Sequence, residues 1–135
     1  MRILVELPTW LGDAVMTTPA IENLSSYYDH PEITLIGSFI SVEMLKNHPK
    51  VVKVCVLNRG YFSLYKIAKD LGNFDVYFSF RGLLRSKYLK FLISSNTKYQ
   101  FSNNKYQNRH QVKMYNDFIN DSLNINFSPK RLIIY

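Results

Sequence analysis

The sequence predicts an α/β fold: a Rossmann-like parallel sheet with helices on both faces. Short segments rich in β-branched or aromatic residues alternate with longer segments whose apolar residues recur at helical spacing. The alternation runs through the chain without an internal repeat or a low-complexity segment. Such a pattern is typical of βαβ units, in which right-handed crossovers connect parallel strands.

Five segments have strand character: residues 2–7, 33–37, 52–57, 75–80 and 98–101. Between and after them, helices are predicted at residues 14–28, 41–47, 61–71, 83–94 and about 109–123. Their inward-facing stripes are predicted to be Met16, Ala20, Leu24 and Tyr27, then Leu84, Tyr88, Phe91 and Leu92, then Val112, Tyr115, Phe118 or Ile119, and Leu123. Pro19 lies inside the first predicted helix. Either that helix kinks there, or a new helix begins with Thr18 as its cap and Pro19 as its first residue.

The composition is that of one globular domain. The chain has 135 residues, of which 47% are hydrophobic and 20% charged, so it can bury a core of ordinary size. No apolar run approaches the roughly 20 residues that cross a bilayer. Glu6 and Pro8 interrupt the apolar N-terminus, which indicates a first strand and not an export signal. Cys55 is the only cysteine, and the histidines are far apart. We therefore expect a cytoplasmic protein without a disulfide or a structural metal.

The positive charge is concentrated in one part of the chain. The net charge is +7, and no Asp or Glu occurs between Val76 and Asn116. That segment contains Arg81, Arg85, Lys87, Lys90, Lys98, Lys105, Arg109 and Lys113. A segment of one sign attracts anions such as nucleic acid, an anionic membrane or a phosphorylated substrate. The alternative is a solvated surface that only maintains solubility.

The loop after the first strand is the first place to look for a site, because ligands of open α/β sheets bind beyond the carboxyl ends of the strands. It reads Pro8-Thr9-Trp10-Leu11-Gly12-Asp13. This is neither a dinucleotide-binding fingerprint nor a phosphate-binding P-loop. Taken alone, Asp13 is most simply a cap or first-turn residue that complements the helix dipole.

Four stretches, in order, resemble the heptosyltransferases that build the inner core of lipopolysaccharide. The first combines the Pro8–Asp13 loop with Thr18-Pro19-Ala20-Ile21, and the second is Asn47-His48-Pro49-Lys50-Val51-Val52. The third joins Phe74-Asp75-Val76 to Arg81-Gly82-Leu83-Leu84-Arg85-Ser86, which is similar to the family's "GxLRS" turn. The fourth, Arg109-His110-Gln111-Val112-Lys113-Met114-Tyr115, resembles an "RHxVxxY" helix start.

The resemblance implies the N-terminal domain of a GT-B glycosyltransferase. In that arrangement residues 1–127 would form the acceptor-binding domain, and residues 128–135 would begin the linker to an absent C-terminal donor domain. We expect no cofactor and no metal at the site. Asp13 would be the catalytic base, taking the proton from an acceptor hydroxyl that attacks the anomeric carbon of ADP-heptose with inversion. The chain alone would be inactive, because ADP-heptose would bind only through the missing half.

The same resemblance predicts the acceptor contacts. The acceptor is a lipid-linked Kdo/heptose core, whose carboxylates and phosphates suit arginine and lysine. The predicted contact residues are Thr9, Trp10, Gly12, Arg59, Arg81, Arg85 and Arg109. We expect a cytoplasmic location with peripheral contact at the inner face of the inner membrane, and no nucleic acid partner. The alternative is a stand-alone basic α/β module that binds anionic membrane or nucleic acid.

Overall fold

The chain folds around a five-stranded parallel sheet in a computed structural model that describes residues 1–57, 60–102 and 110–128. The strands are β1 (Arg2–Glu6), β2 (Glu32–Gly37), β3 (Val51–Val56), β4 (Asn73–Ser79) and β5 (Ser94–Gln100). The helices are α1 (Leu11–Met16), α2 (Thr18–Tyr27), α3 (Phe39–Leu45), α4 (Tyr61–Leu71), α5 (Leu84–Leu92) and α6 (Gln111–Leu123). None of the helices in the described ranges has the length and apolar character needed to cross a bilayer. Apart from Ser128, the predicted linker lies outside the described residues.

The strand order places a topological switch between β1 and β4. The order is β3-β2-β1-β4-β5, with every neighbouring pair parallel. The chain moves outward from β1 through β2 to β3 and then returns to the other side of β1 as β4. Glu6, the last residue of β1, is in register with Ser79, the last residue of β4. The loops that follow these two strands therefore start side by side, which is where doubly wound sheets bind ligands.

Helices cover both faces of the sheet, as the predicted fold class requires. Ile3 and Val5 belong to one apolar cluster, which also takes residues from α1, α2, α3 and α6. Leu4 belongs to the opposite cluster, with residues from α4 and α5. Alternate residues of β1 thus enter opposite cores, which explains why a central strand is apolar on both sides.

The predicted helix at residues 14–28 is two helices with a break at Thr17. The Thr17 N–H donates to the Ala14 carbonyl oxygen at 3.1 Å, and Pro19 lies within the first two positions of α2. Pro19 therefore begins a helix, as one of the two alternatives predicted, with Thr17 instead of Thr18 at the cap position. Because the chain breaks here, α1 is a separate short helix at the carboxyl edge of the sheet, and it carries Asp13.

The inward face predicted for α5 was half right, because Tyr88 and Leu92 are partly buried and pack against the core. Leu84 and Phe91 were expected inside, but they are 77% and 81% exposed. The buried residues of this helix are Ser86 and Leu89. The Ser86 hydroxyl donates to the buried carboxylate of Glu6, and this contact turns the polar residue inward and the two large apolar residues outward.

The buried stripes predicted for α2 and α6 agree more closely with the structure. On α2 the residues Ala20 and Leu24 are buried, but Tyr27 is 45% exposed and Ile21 takes its place in the core. On α6 the predicted face is confirmed, and its buried members are Tyr115, Phe118, Ile119 and Leu123. This face packs α6 against the sheet and directs its first turn toward the loop after β1.

Candidate active site

A cleft opens at the carboxyl edge of the sheet, where β1 and β4 lie side by side. Its volume is about 560 Å³. The loop after β1, the loop after β4, the end of β5, helix α5 and the start of α6 form its walls. The residues that line it are Pro8, Thr9, Trp10, Asp13, Phe80, Arg81, Gly82, Leu83, Lys87, Lys90, Gln100, Phe101, Ser102, Gln111 and Tyr115.

The loop after β1 is fixed by two serines at the start of α3. The Ser38 hydroxyl donates to the Thr9 carbonyl oxygen at 2.7 Å, and the Ser41 hydroxyl donates to the Pro8 and Thr9 carbonyl oxygens. Ser38 also caps α3 by accepting from the Ser41 N–H. The loop is thus anchored through its backbone, which leaves the side chain of Trp10 73% exposed at the cleft.

Asp13 is a first-turn residue of α1 and not its cap. The cap position is occupied by Trp10, which makes no capping hydrogen bond. The Asp13 side chain is half-buried and accepts at Oδ1 from Gln111 Nε2 at 3.1 Å. Its hydrogen bond therefore runs to another element of the fold, 98 residues away. Its location in the first turn also suits the positive end of the helix dipole.

A buried carboxylate lies beneath the cleft. Glu6 is 1% exposed, and its Oε1 accepts from the Ser79 hydroxyl at 2.6 Å and the Tyr77 hydroxyl at 3.2 Å. Its Oε2 accepts from the Ser86 hydroxyl at 3.3 Å. Burial raises the pKa of Glu6, and the hydrogen bond from Ser79 and the charge of Arg81 oppose this rise only in part.

Arg81 connects this buried carboxylate to the cleft. Its Nη1 lies 3.8 Å from Glu6 Oε2, and its side chain is only 14% exposed. Its carbonyl oxygen accepts from Gln100 Nε2 at 3.1 Å, which joins the loop after β4 to the end of β5. Lys87 and Lys90 line the same cleft from α5. Three cationic side chains therefore share the cleft with the carboxylate of Asp13.

The loop after β4 approaches β5 so closely that the space at residue 82 favours glycine. A Cβ added to Gly82 would lie 3.0 Å from the Phe101 carbonyl oxygen, so this backbone atom would have to shift by a few tenths of an ångström. A Cβ on Gly12, in contrast, would meet no atom within 4 Å. The glycine of the loop after β4 is thus explained by packing, whereas the structure gives no packing reason for Gly12.

An aromatic cluster supports the cleft from below. Tyr115 packs edge to face on Phe80, with ring centroids 5.4 Å apart, and tilts against Phe101 at 5.1 Å. Phe118 contacts both of these phenylalanines edge to face. Burial raises the pKa of Tyr115 to about 12, although the hydrogen bond from Gln111 opposes the rise. Tyr115 is therefore a neutral phenol at physiological pH, and it anchors α6 to the ends of β4 and β5.

Four of the site residues predicted from the sequence line the cleft: Thr9, Trp10, Asp13 and Arg81. Gly12 and Arg85 are not among its lining residues. Arg59 and Arg109 lie outside the described residues. In the described part of the chain, no three His, Cys, Asp or Glu side chains are grouped so that they could hold a metal ion.

The sequence interpretation missed four residues of this region: Glu6, Lys87, Lys90 and Gln111. The two lysines belong to the basic segment, and their spacing of three residues predicts a shared helix face. Gln111 lies in the fourth stretch, but no local signal connects it to Asp13. Glu6 follows four apolar or basic strand residues, and a single acidic residue there gives no sign of its burial.

Comparison with known proteins identifies relatives for this arrangement. No family model matches the chain. Lipooligosaccharide heptosyltransferase 2 of Campylobacter jejuni subsp. jejuni serotype O:2 is 37% identical to the chain over 127 residues. The protein of the same name from serotype O:6 is 35% identical over 127 residues. In both cases the alignment covers 93% of this chain and 40% of the relative. The chain thus spans about two fifths of the length of the curated relatives it matches.

Solved structures share the fold. A glycosyl transferase family 9 protein from Veillonella parvula superposes with a TM-score of 0.84 and 20% identity, over 99% of this chain and 45% of that one. E. coli heptosyltransferase WaaC with ADP gives a TM-score of 0.79 and 15% identity, over 97% and 50%. E. coli ADP-heptose lps heptosyltransferase II gives 0.71 and 16%, over 99% and 45%. The predicted resemblance is confirmed by the sequence relatives, and the predicted fold by these structures.

Proposed function

We propose, from its relationship to the lipopolysaccharide heptosyltransferases over the part of their length it spans, that this chain forms the acceptor-binding half of such an enzyme. The observation that carries the proposal is the position of Asp13. Asp13 lines a cleft at the topological switch of the sheet, and three cationic residues, Arg81, Lys87 and Lys90, line the same cleft. A base that shares its cleft with anion-binding groups suits an acceptor that carries both a nucleophilic hydroxyl and negative charge.

In the proposed reaction, Asp13 is the general base. The oxygen of an acceptor sugar hydroxyl attacks the anomeric carbon of ADP-heptose, and a new glycosidic bond forms. The bond from that carbon to the diphosphate oxygen breaks, and ADP leaves with the electron pair. The hydroxyl proton passes to the Asp13 carboxylate. Attack from the side opposite the leaving group inverts the configuration at the anomeric carbon.

The acceptor's negative groups are proposed to bind Arg81, Lys87 and Lys90. Arg81 suits a carboxylate or phosphate because its guanidinium presents a planar pair of donors. Glu6 and the half-buried setting limit the freedom of this side chain, so the guanidinium loses little entropy on binding. Trp10 and Thr9 would form the wall facing the sugar rings, with the exposed indole available for stacking.

The donor is proposed to bind elsewhere. ADP-heptose would be held by a second domain of the GT-B arrangement, and the 135-residue chain by itself would not catalyse transfer. The loop after β1 contributes neither a glycine-rich turn nor a P-loop to hold a diphosphate. The groups in this cleft therefore support binding of the acceptor here and of ADP-heptose in the second domain.

Peripheral contact with the inner face of the inner membrane is proposed for α5 together with Leu83, the residue before it. Leu83, Leu84 and Phe91 are exposed there, and Lys87 and Lys90 belong to the same helix. Exposed apolar side chains combined with lysines suit the boundary of an anionic bilayer. A lipid-linked acceptor would be presented at that boundary, on the cytoplasmic side.

Nucleic acid is a poor alternative ligand for this cleft. A groove that follows a phosphodiester backbone repeats positive charge and avoids carboxylates. Here Asp13 lies among the cations, and the described residues of the cleft include one exposed aromatic side chain, Trp10. A single sugar-phosphate acceptor matches this arrangement better than a strand of nucleotides.

A chimera tests the proposal. The chain would replace the aligned part of the Campylobacter jejuni serotype O:2 relative, so that the donor portion of that protein is retained. Heptose transfer from ADP-heptose would be measured on Kdo-lipid A and on its monoheptosylated form, with the donor portion alone as the control. We expect transfer by the chimera to one of these acceptors and none by the control. A folded chimera that binds ADP-heptose but transfers to neither acceptor would contradict the proposed function.

A further inference from the structure

The side-chain amide of Gln111 connects the carboxylate of Asp13 to the core of the domain. Gln111 Nε2 donates to Asp13 Oδ1 at 3.1 Å and to the Tyr115 hydroxyl oxygen at 2.7 Å. An ionised carboxylate only accepts hydrogen bonds, so the nitrogen of the amide, and not its oxygen, must face Asp13. Both amide hydrogens are then in use. The amide is held at two points and cannot rotate without losing one of them.

The second of these points is rigid. Tyr115 is 3% exposed and is enclosed by Phe80 and Phe101. It lies one helical turn after Gln111, so its hydroxyl holds the amide from within the same helix. Gln111 is also the first residue of α6, whose backbone is fixed by the packing of its buried face. The donor that faces Asp13 is therefore positioned by the core and not by a loop.

We propose that Gln111 is a positioning residue for Asp13 in the transfer reaction. By holding Oδ1, the amide fixes the rotation of the carboxylate and leaves Oδ2 to receive the acceptor's proton. Among the described residues, Gln111 is the hydrogen-bond partner of the Asp13 carboxylate. A neutral donor also orients the base without adding the positive charge that would further favour its unprotonated form. This inference rests on the proposed function of Asp13.

Kinetics of the chimera described above test the role. Gln111→Leu removes both hydrogen bonds, and a base that has lost its orientation should lower kcat by about tenfold to a hundredfold. KM for the acceptor should change by much less, because Gln111 is not one of the proposed charge contacts. Gln111→His returns an N–H donor at similar reach and should recover part of kcat. Lys113→Leu, an exposed position on the same helix, is the matched control and should retain the rate of the unsubstituted chimera.

A double-mutant cycle separates positioning from a general structural effect. In the Asp13→Asn background there is no base to orient, so adding Gln111→Leu should lower kcat by less than about twofold. If Gln111 acted only by stabilising the domain, its substitution would reduce the rate by the same factor in both backgrounds. An equal factor in both would overturn the positioning role.

The contact itself can be measured without any activity. In the 135-residue chain, the Gln111 side-chain amide should give NMR signals that shift when Asp13 is replaced by Ala, and the amide hydrogens should exchange faster with water. An amide unaffected by Asp13→Ala would overturn the inference whatever the kinetics. A chimera that is inactive before any substitution would overturn the proposed function and the positioning role with it. An active chimera that keeps its full kcat after Gln111→Leu would overturn the positioning role alone.

Discussion

Glu6 and Arg81 form an ion pair beneath the cleft, with Glu6 Oε2 and Arg81 Nη1 separated by 3.8 Å. The two residues are close in space because β1 and β4 are neighbours, although they are 75 positions apart in the sequence. The carboxylate is almost fully buried while the guanidinium reaches the cleft. Through this pair, a cationic residue of the candidate site contacts a buried carboxylate of the sheet, whose ionisation affects the stability of the fold.

This burial predicts a specific dependence of stability on pH. The pKa of Glu6 is raised from its ordinary value in the folded protein, so the folded state binds the proton more readily than the unfolded state. The contribution of Glu6 to the free energy of unfolding therefore falls as the pH rises from about 4.5 through the raised pKa. Glu6→Gln cannot ionise, and its unfolding free energy should fall less over that interval. Urea denaturation at several pH values would measure the difference.

The matched control is Glu32→Gln, which makes the same substitution at an exposed position of β2. It should follow the pH dependence of the unsubstituted chain. If Glu6→Gln and Glu32→Gln gave parallel curves, the raised pKa of Glu6 would have no consequence for stability and its assignment would be wrong.

Two arginines that are four residues apart allow a paired test of acceptor binding. Arg81 lines the cleft and Arg85 does not. Arg81→Gln should weaken binding of Kdo-lipid A more than Arg85→Gln does, and together they should weaken it most. Binding by the unsubstituted chain should also weaken as ionic strength rises, since exposed charges are screened within about 8 Å at physiological salt. Titration at several salt concentrations measures both effects. Binding indifferent to salt and to both substitutions would mean that the basic segment is only a solvated surface.

The fold was predictable because its elements carry strong local signals. The apolar, β-branched β1 and β2 and the amphipathic α4 were all identified, and α4 was predicted with the bounds that the structure shows. A new helix beginning at Pro19, with Thr18 as its cap, was one of two alternatives predicted, because a proline inside a helix either kinks it or breaks it. On α5 the prediction failed for Leu84 and Phe91, because the buried face includes Ser86, which reaches Glu6 in a distant part of the chain.

The sequence predicted which loop carries the site, but not the contacts that other parts of the fold make with that loop. The parallel-sheet rule pointed to the loop after β1. The resemblance to the heptosyltransferases, and not the residues alone, then singled out Asp13 in that loop and Arg81 in the basic segment. Gln111 was not predictable from the residues alone, because its contact with Asp13 requires α6 to pack beside α1. Only the three-dimensional arrangement brings these residues together, and a single sequence contains no periodicity that reports it.

The two glycines at the carboxyl edge should respond in opposite ways to alanine. Gly82→Ala would bring a Cβ to 3.0 Å from the Phe101 carbonyl oxygen, so it should destabilise the chain and distort the cleft. Gly12→Ala meets open space within helix α1 and should stabilise the chain by about 0.5–1 kcal/mol. Thermal unfolding measures both. If Gly12→Ala raises stability while acceptor binding weakens, the space at Gly12 is used by the substrate. Unchanged binding would remove Gly12 from the predicted site.

The proposed division between acceptor and donor predicts what the chain does not bind. Isothermal titration of the 135-residue chain with ADP-heptose or ADP should give no appreciable heat of binding, whereas the acceptor should bind. The chimera that retains the donor portion of the Campylobacter protein should bind ADP-heptose and is the positive control. A micromolar Kd of the chain alone for either nucleotide would contradict the assignment of this domain to the acceptor.

Substitution of Asp13 by Asn separates a catalytic base from a structural residue. Asn has nearly the same shape, and its carbonyl oxygen can still accept the hydrogen bond from Gln111, so the contact with α6 is retained. The loss of a first-turn charge at the start of α1 should cost at most about 1 kcal/mol. General base catalysis is typically worth about 10²–10⁴-fold, so turnover by the chimera should fall by that factor while acceptor binding changes little. Initial rates and thermal unfolding of the same preparation measure both quantities.

If Asp13 served only the helix, the rate would remain close to that of the unsubstituted chimera. A chimera with Asp13→Asn that retains more than about a third of the rate would exclude general base catalysis by Asp13, because the loss would be far below that range.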